Sequence, residues 1–564
     1  MGQNGINMRI LKGKSRRTVI FSAITAGLLL ILLCANILFT YFGAIYSSYI
    51  DLTDEGLYTL TDKMIDECAF VDELGKTDGE KSVKITFCTD PDYLTEYEIT
   101  RATYFMALQL QEEFENIEVQ CVNVANNPTE LSRFRTTSLT TFSAGDIIVS
   151  YGDRYRRLSA DNFWYIDEEL KLYNGEYTLA TLIKSVTAVE QPAAYFIVGH
   201  GETVFDPKNP DDPAGLAGAR LYDLVRDQGL RVETINLAAI DKIPDDCVLL
   251  VLNNPRTDFT IDPTQLGDMK YESDIEKVEK YLINNQGALV VARDYDPTLD
   301  LTNLDAFLAS WGFEFGSSVV TDAENSTARG EDSVISVYHT EEDSFANAVY
   351  KEYASLSTSP KTVFNNTGYI TTTYIENNYE SEPGGGNTLR EYASFLTTSE
   401  KATAYFKNAD GTISKNKDKG GVMDLAGVTS RRTIDQDTAE KTHSFVFCAA
   451  SGDFFSNELL GNDAYANYEI MGSLLNTITR VDVFASMELG GISMNSTSSG
   501  GKQVFEENLY ESDYDVIDYT KMEIIGTKEG ISSSDKGWYL ALFLALPTLL
   551  FAIGAVVCIR RRFL

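Results

Sequence analysis

The chain of 564 residues carries 47 Lys and Arg against 83 Asp and Glu, a formal net charge of −36, with 44% apolar and 11% aromatic residues. So acidic a surface repels phosphate-bearing partners and excludes nucleic acid and anionic lipid as direct ligands, while the apolar and aromatic content excludes an unfolded polar chain. The length predicts two or three domains rather than a single core.

Residues 1–17 contain Arg9, Lys12, Lys14, Arg16 and Arg17 and no acid, and from Thr18 to Ile50 there is no charged side chain at all. The apolar stretch exceeds the ~20 residues a bilayer-spanning helix requires, so a transmembrane helix is expected over 18–46. A cleaved signal peptide has a shorter apolar region and a small-residue cleavage site, and no such site follows. A second uncharged run, 538–559, opens on Trp538 and Tyr539 at the expected interfacial position and is followed by Arg560, Arg561 and Arg562 in a basic tail, 560–564. Basic flanks stay on the cytoplasmic side. The expected topology is therefore a two-pass cell-membrane protein with both termini cytoplasmic and a large extracytoplasmic domain. Removing the five basic residues before the first span and the three after the second leaves 39 basic and 83 acidic residues, or −44, for that domain.

Within the ectodomain, 51–190 reads as a juxtamembrane collar and a small α/β domain. Thr61 is positioned to cap a helix ending near Leu74. Val83 to Cys88 reads as a buried strand, Met106, Leu110 and Phe114 share one helix face, and Ile117 to Val124 reads as the next strand. A hairpin over Asp146–Tyr151 and Tyr155–Leu158 and a helix from about Tyr177 to Val189 complete a β-α-β unit for which a thioredoxin-like fold is the natural expectation.

A larger α/β domain is expected over 191–480. Ala194 to Val198, Val248 to Leu252 and Ala288 to Val291 read as buried strands. They alternate with helices marked by Leu221, Leu224 and Val225, by Ile275, Val278 and Leu282, and by Leu301 to Trp311. Repeated β-α-β order predicts a doubly wound, mostly parallel sheet. From 322 to 442 the pattern dissolves into Ser, Thr, Asn and Gly, which predicts a loop-rich insertion. His443 to Ala449 and a helix over Tyr465–Thr479 read as the sheet's last strand and helix, and 481–537 as a β-rich or flexible connector.

Catalytic signatures are missing where they would be expected. No G-x-x-x-x-G-K-[ST] exists, so ATP use is not expected in this chain, and neither a G-x-S-x-G elbow nor an H-E-x-x-H occurs. Cys68, Cys88, Cys121, Cys247 and Cys448 contain no C-x-x-C and read as small buried hydrophobes. No catalytic residue, metal site or cofactor is expected. The one cluster of interest is Gly199-His200-Gly201-Glu202, which follows a predicted strand where open α/β sheets bind ligands, and Asp453 follows another strand and faces the same edge if the sheet is parallel. A ligand- or partner-binding role is the functional reading of these five residues. The structural one is that His200 and Glu202 fix a turn and Asp453 caps a helix.

Several short motifs occur in a distinctive order: Asp51-Leu52-Thr53 with Tyr58-Thr59-Leu60-Thr61, Asn127-Pro128, Gly175-Glu176, Gly199-His200-Gly201-Glu202, Pro255-Arg256-Thr257-Asp258, Thr397-Thr398-Ser399 and Ser451-Gly452-Asp453-Phe454. In this order, between two terminal apolar runs, the chain resembles the GldG-like family of extracytoplasmic auxiliary components of ABC transport systems, named for gliding motility. The resemblance covers Thr18 to Arg562, most weakly over 322–442, and Gln286-Gly287 stands where that family often has paired glycines. It implies a non-catalytic auxiliary subunit working with a separate membrane permease and a separate cytosolic ATPase, and a larger domain similar to the class I glutamine-amidotransferase-like fold without its cysteine. An anchored cell-wall hydrolase and a polymer-binding surface sensor are the alternatives.

Overall fold

The computed structural model describes residues 60–479, apart from 78–80, 167–170, 174, 189–190, 263, 267–268, 285–286, 340–344, 348, 351–358, 374–377, 382–386, 408–411 and 435–440, together with Gly27, Ile517 and Asp518. The expected spans 18–46 and 538–559, both basic tails and nearly all of the 481–537 connector lie outside the described residues. Among the described residues, no helix is long and apolar enough to cross a membrane. Those from Leu60 onward belong to one compact unit.

The chain enters through helix α1 (Asp62–Cys68), whose first turn is capped by the Thr61 hydroxyl accepting from the Met64 amide at 3.2 Å, and α2 (Phe70–Thr77). Strand β1 (Val83–Phe87), helices α3 (Pro91–Glu96) and α4 (Glu98–Glu113), and β2 (Ile117–Cys121) form a parallel crossover, and a hairpin of β3 (Asp146–Tyr151) and β4 (Arg154–Ser159) adds antiparallel to β1. The sheet order is β2-β1-β3-β4. A short hairpin of β5 (Trp164–Ile166) and β6 (Lys171–Tyr173) precedes α5 (Gly175–Thr187), whose buried stripe includes Leu179, Leu182, Ile183 and Val186.

A second alternation begins at β7 (Ala193–Ile197) and runs through α6 (Ala219–Asp227), β8 (Arg231–Ile235), β9 (Cys247–Asn253), α7 (Asp274–Asn284), β10 (Ala288–Ala292) and α8 (Thr302–Ser310). Strands β8, β7, β9 and β10 are mutually parallel neighbours in that order, and β10 pairs in parallel with a strand that arrives much later in the chain. Burial on both faces explains why β7, β9 and β10 read as continuous apolar runs. Ala194, Phe196, Leu249, Val251, Ala288 and Val290 pack on one side with Leu221, Leu224 and Val225 of α6. Tyr195, Ile197, Leu250, Leu252, Leu289 and Val291 pack on the other with Val278 and Leu282 of α7 and Leu304 and Leu308 of α8.

The segment 322–442, expected to be loop-rich, carries strands instead. After β11 (Phe313–Phe315) come β12 (Ile370–Thr372), β13 (Asn387–Thr397) and β14 (Asp424–Ile434), and then β15 (Lys441–Ala449), the strand that pairs with β10. Strand β14 is antiparallel to β15, β13 and β12 add to β14, and β11 adds to β12, so one 11-stranded sheet is parallel in one half and antiparallel in the other. Two three-stranded sheets, one of Val319–Thr321, Thr403–Lys407 and Ile413–Gly420 and one of Ser326–Thr327, Gly330–Ile335 and Val363–Asn365, complete this part. The expectation failed because Thr, Ser, Glu and Arg are interspersed along these antiparallel strands, as in Val428-Thr429-Ser430-Arg431, which leaves only short apolar stretches. Helix α9 (Asn467–Thr479) returns to the α6 face of the sheet through Ile470, Met471, Leu474 and Leu475. Strand β16 (Ile517–Asp518) pairs with β6, Ile517 opposite Tyr173.

Candidate functional site

In an open parallel sheet, the crevice for ligands lies beyond the carboxyl ends of the two strands where the chain changes direction of travel. Here the chain steps from β7 to β8 on one side and then to β9 on the other, so the crevice lies between the loops after β7 and β9. The first loop is Val198-Gly199-His200-Gly201-Glu202. Gly199 has φ +117° and Gly201 φ +82°, and a Cβ on Gly201 would stand 2.9 Å from the Arg256 Cβ. Only glycine combines that left-handed backbone with so close an approach of the second loop.

His200 is drawn inward rather than out to solvent. Its Nδ1 lies 3.0 Å from Glu202 Oε1 and its Nε2 3.5 Å from Asp274 Oδ2. The Glu202 carboxylate, 1% exposed, also accepts the His200 amide at 2.8 Å. The imidazole stacks on Phe259 at 3.9 Å with an interplanar angle of 6°, which suits a cationic ring. Asp274 accepts from the Thr260 amide and hydroxyl at 3.1 and 2.7 Å, while the Ser273 hydroxyl accepts from the Glu276 amide at 3.2 Å and starts α7. An acid in a helix's first turn is favoured by the helix dipole.

Burial disfavours a charged His200, but hydrogen bonds to Asp274 and Glu202 and their charges outweigh it and raise the pKa to about 9. Burial likewise opposes ionisation of Asp274, and the bonds from His200 and Thr260 overcome it, holding the carboxyl at about 2. At neutral pH this is an imidazolium gripped by two carboxylate side chains. A general base needs a free lone pair and a pKa near the working pH; this ring has neither.

The second loop closes over the first. His200 O accepts from the amides of Arg256 and Thr257 at 2.6 and 2.9 Å, and Thr203 exchanges hydrogen bonds with Asn253, its amide donating to Asn253 O at 3.1 Å and its carbonyl accepting from Asn253 Nδ2 at 3.0 Å. Asn254, in the left-handed region at φ +58°, donates to Asp294 Oδ2 at 2.6 Å, and Asp294 Oδ1 accepts the Gly452 amide at 2.6 Å. The loops after β7, β9, β10 and β15 are thus tied in series. Asp453 stands at the far end of that series: its Oδ2 accepts from Asn366 Nδ2 at 3.3 Å, and burial raises its pKa. No hydrogen bond or ion pair joins Asp453 to His200 or Glu202 among the described residues. The structure therefore brings Gly199, His200, Gly201 and Glu202 together and leaves Asp453 apart.

The chain matches no family profile, no curated protein and no solved structure. What the site can hold must be argued from its own groups. Among the described residues, no group of three or more His, Cys, Asp or Glu side chains is arranged to hold a metal ion. In sheets of this kind a phosphate would sit at the N-terminus of the helix after the first strand. At α6 that position is filled from within: Asn457 Oδ1 accepts the Arg220 amide at 2.9 Å and its Nδ2 donates to Leu216 O at 2.7 Å.

The five described cysteines are all free thiols, and Cys68, Cys88, Cys247 and Cys448 are buried. Burial pushes Cys68 and Cys247 up to about 12 and Cys121 up to about 11, and raises Cys88 and Cys448 as well. None of these five thiols forms a thiolate nucleophile near neutrality.

Asp274, Phe259, Thr260, Asp294 and Asn457 were not singled out from sequence. Ser273-Asp274 ahead of the Ile275 stripe is a helix-start signature and was a usable signal for Asp274. Asn254-Pro255 marks a turn, but nothing local indicates that its side chain reaches Asp294, forty residues on.

Proposed function

We propose that this protein is a membrane-anchored, non-catalytic extracytoplasmic subunit of an ABC transport system, working with a separate permease and a separate cytosolic ATPase. The ordered motif series between two terminal apolar runs carries the proposal, because it is the pattern of the GldG-like family. Both termini are then cytoplasmic and the acidic domain faces outward. The sheet order β2-β1-β3-β4 around a helical crossover supports a thioredoxin-like reading of the small domain. The order β8-β7-β9-β10-β15, all parallel, supports an amidotransferase-like reading of the larger one.

Two features of the geometry favour a binding or scaffolding role over hydrolysis. His200 is an engaged cation, and the α6 N-terminus is occupied by Asn457. A wall hydrolase built on His200, Glu202 and Asp453 would need a neutral, accessible imidazole beside Asp453. The motifs absorbed by the loop series, Gly199 to Glu202, Arg256 and Gly452, act as a single structured edge, and this edge is the surface offered to a ligand or partner.

Co-expression of the full chain with candidate permease and ATPase subunits, followed by purification in mild detergent, tests the proposal. Recovery of all three in fixed proportion is expected. Recovery of this chain alone, while the permease and ATPase co-purify with each other, overturns it.

A further inference from the structure

Two-domain extracytoplasmic proteins commonly bind ligands by closing one domain on the other about a hinge. Such closure requires a seam that slides or opens. The seam between the small sheet and the larger one has the opposite construction.

At its centre is Asp227, at the end of α6 and 2% exposed. It accepts from Tyr155 Oη at 2.8 Å and Arg157 Nη1 at 3.2 Å, both on β4, and from Tyr468 Oη on α9. The second arm of the same guanidinium, Nη2, reaches Asp146 on β3 at 2.7 Å. One turn earlier, Asp223, fully buried, accepts from Thr140 Oγ1 at 2.7 Å and Arg220 Nη1 at 3.2 Å. Arg156, 1% exposed, crosses from β4 to Asn476 of α9 at 2.9 Å. Its side chain lies directly on Gly229, where a Cβ would stand 2.5 Å from Arg156 Cγ and φ is +81°. The three arginines, three aspartates and two tyrosines are contributed by β3, β4, α6 and α9, and a slide of β4 past α6 would part Arg157 from Asp227 and leave a buried charge unpaired. Uncovering one partner of such a pair is strongly unfavourable.

The other fastening is at the chain's entrance. Glu176 at the start of α5 accepts both the amide and the hydroxyl of Thr61 at 2.7 Å, and Lys184 on the same helix donates to Glu67 of α1 at 2.7 Å. Helix α5 then leads into β7 within a few residues. Partly buried polar contacts thus tie α1 to α5, and the seam contacts above tie the small domain to the parallel sheet.

We infer that the collar, the small domain and the larger domain move as one rigid body, so the ectodomain does not work by closing its two domains over a ligand. It transmits displacement of its membrane-proximal end to the carboxyl edge of the large sheet as a single lever. The inference does not depend on the identity of the membrane partner.

Nitroxides placed on non-canonical residues at Glu112 of α4 and Glu279 of α7, both exposed, leave the native cysteines untouched and report the inter-domain distance in the full chain by double electron–electron resonance. One narrow distance is expected for the wild type in detergent and in bilayers, together with one thermal unfolding transition for both domains. Asp227→Ala is expected to add a second distance or split the transition. Tyr155→Phe, which removes the hydroxyl bonded to Asp227 and Phe134 O and keeps the ring, supplies the comparison if Asp227→Ala does not fold. Two distances in the wild type, or separate unfolding of the two domains, would overturn the inference, as would variants whose distance distribution and unfolding match the wild type.

Discussion

Replacing His200 by Gln keeps a polar side chain of similar reach but removes the charge held between Glu202 and Asp274. The imidazole pKa rises from its ordinary 6.5 to about 9 in the folded chain, a gap worth about 3 kcal/mol as an upper limit. Solvent screens part of the field at a loop near the surface, so ~1–2 kcal/mol is the expected contribution. Because the folded value is the higher one, this stability is complete below 6.5 and disappears as the pH rises through about 9. Asp274 has the opposite sign: its carboxyl is held at about 2 against an ordinary 3.8, so its share is complete above 3.8 and lost as the pH falls through about 2. Denaturant unfolding of wild type and His200→Gln across the range from about pH 6 to about pH 10 measures the difference directly. The wild type should be the more stable by the full amount near pH 6, with the two curves converging on the alkaline side. A stability difference that is flat with pH, or that grows toward alkaline pH, would refute the charged clamp.

Gly201→Ala forces a Cβ against Arg256 at a left-handed backbone position, and should cost ~1–3 kcal/mol while leaving the far-ultraviolet circular dichroism unchanged. Thr61→Val removes the α1 cap and the hydroxyl hydrogen bond to the buried Glu176; a loss of ~1–2 kcal/mol is expected in thermal melts, with earlier proteolytic cleavage near the collar as an independent readout. Titration of the native chain with an aromatic disulfide reagent at neutral pH should leave Cys68, Cys88, Cys247 and Cys448 unmodified, as mapped by peptide mass spectrometry, and all should react after unfolding.

The parallel half of the sheet was legible because each of its central strands is buried on both faces. Val248 to Leu252 and Ala288 to Val291 carry no polar residue, and such a run bounded by loops admits few other readings. Strand β8 escaped notice since Arg231-Val232-Glu233-Thr234-Ile235 lies at the sheet's edge, with Glu233 and Thr234 exposed. The antiparallel half was misread as loops for a related reason. Its longest strands, β13 and β14, pair Glu391 with Ser430 and Tyr392 with Thr429, and such polar positions cut their apolar stretches, such as Leu425 to Val428, short. At the candidate site, glycine spacing and position after a strand indicated where the chain would turn. The partner that decides the protonation of His200 could not be seen from the motif, because Asp274 reaches it from the start of a helix more than seventy residues later.

The late arrival of β15 also sets a timetable for folding. Ala288 on β10 pairs with Phe445, and Ala292 with Ala449, so the fifth parallel strand is separated from its neighbour by the entire antiparallel half. Contacts of such long sequence separation form slowly. A chain synthesised from its N-terminus onward presents β10 with one open edge until everything up to Ala449 has followed. During that interval the bare edge of an apolar strand is a template for mispairing with other chains, and synthesis through residue 449 becomes the step after which the molecule is protected.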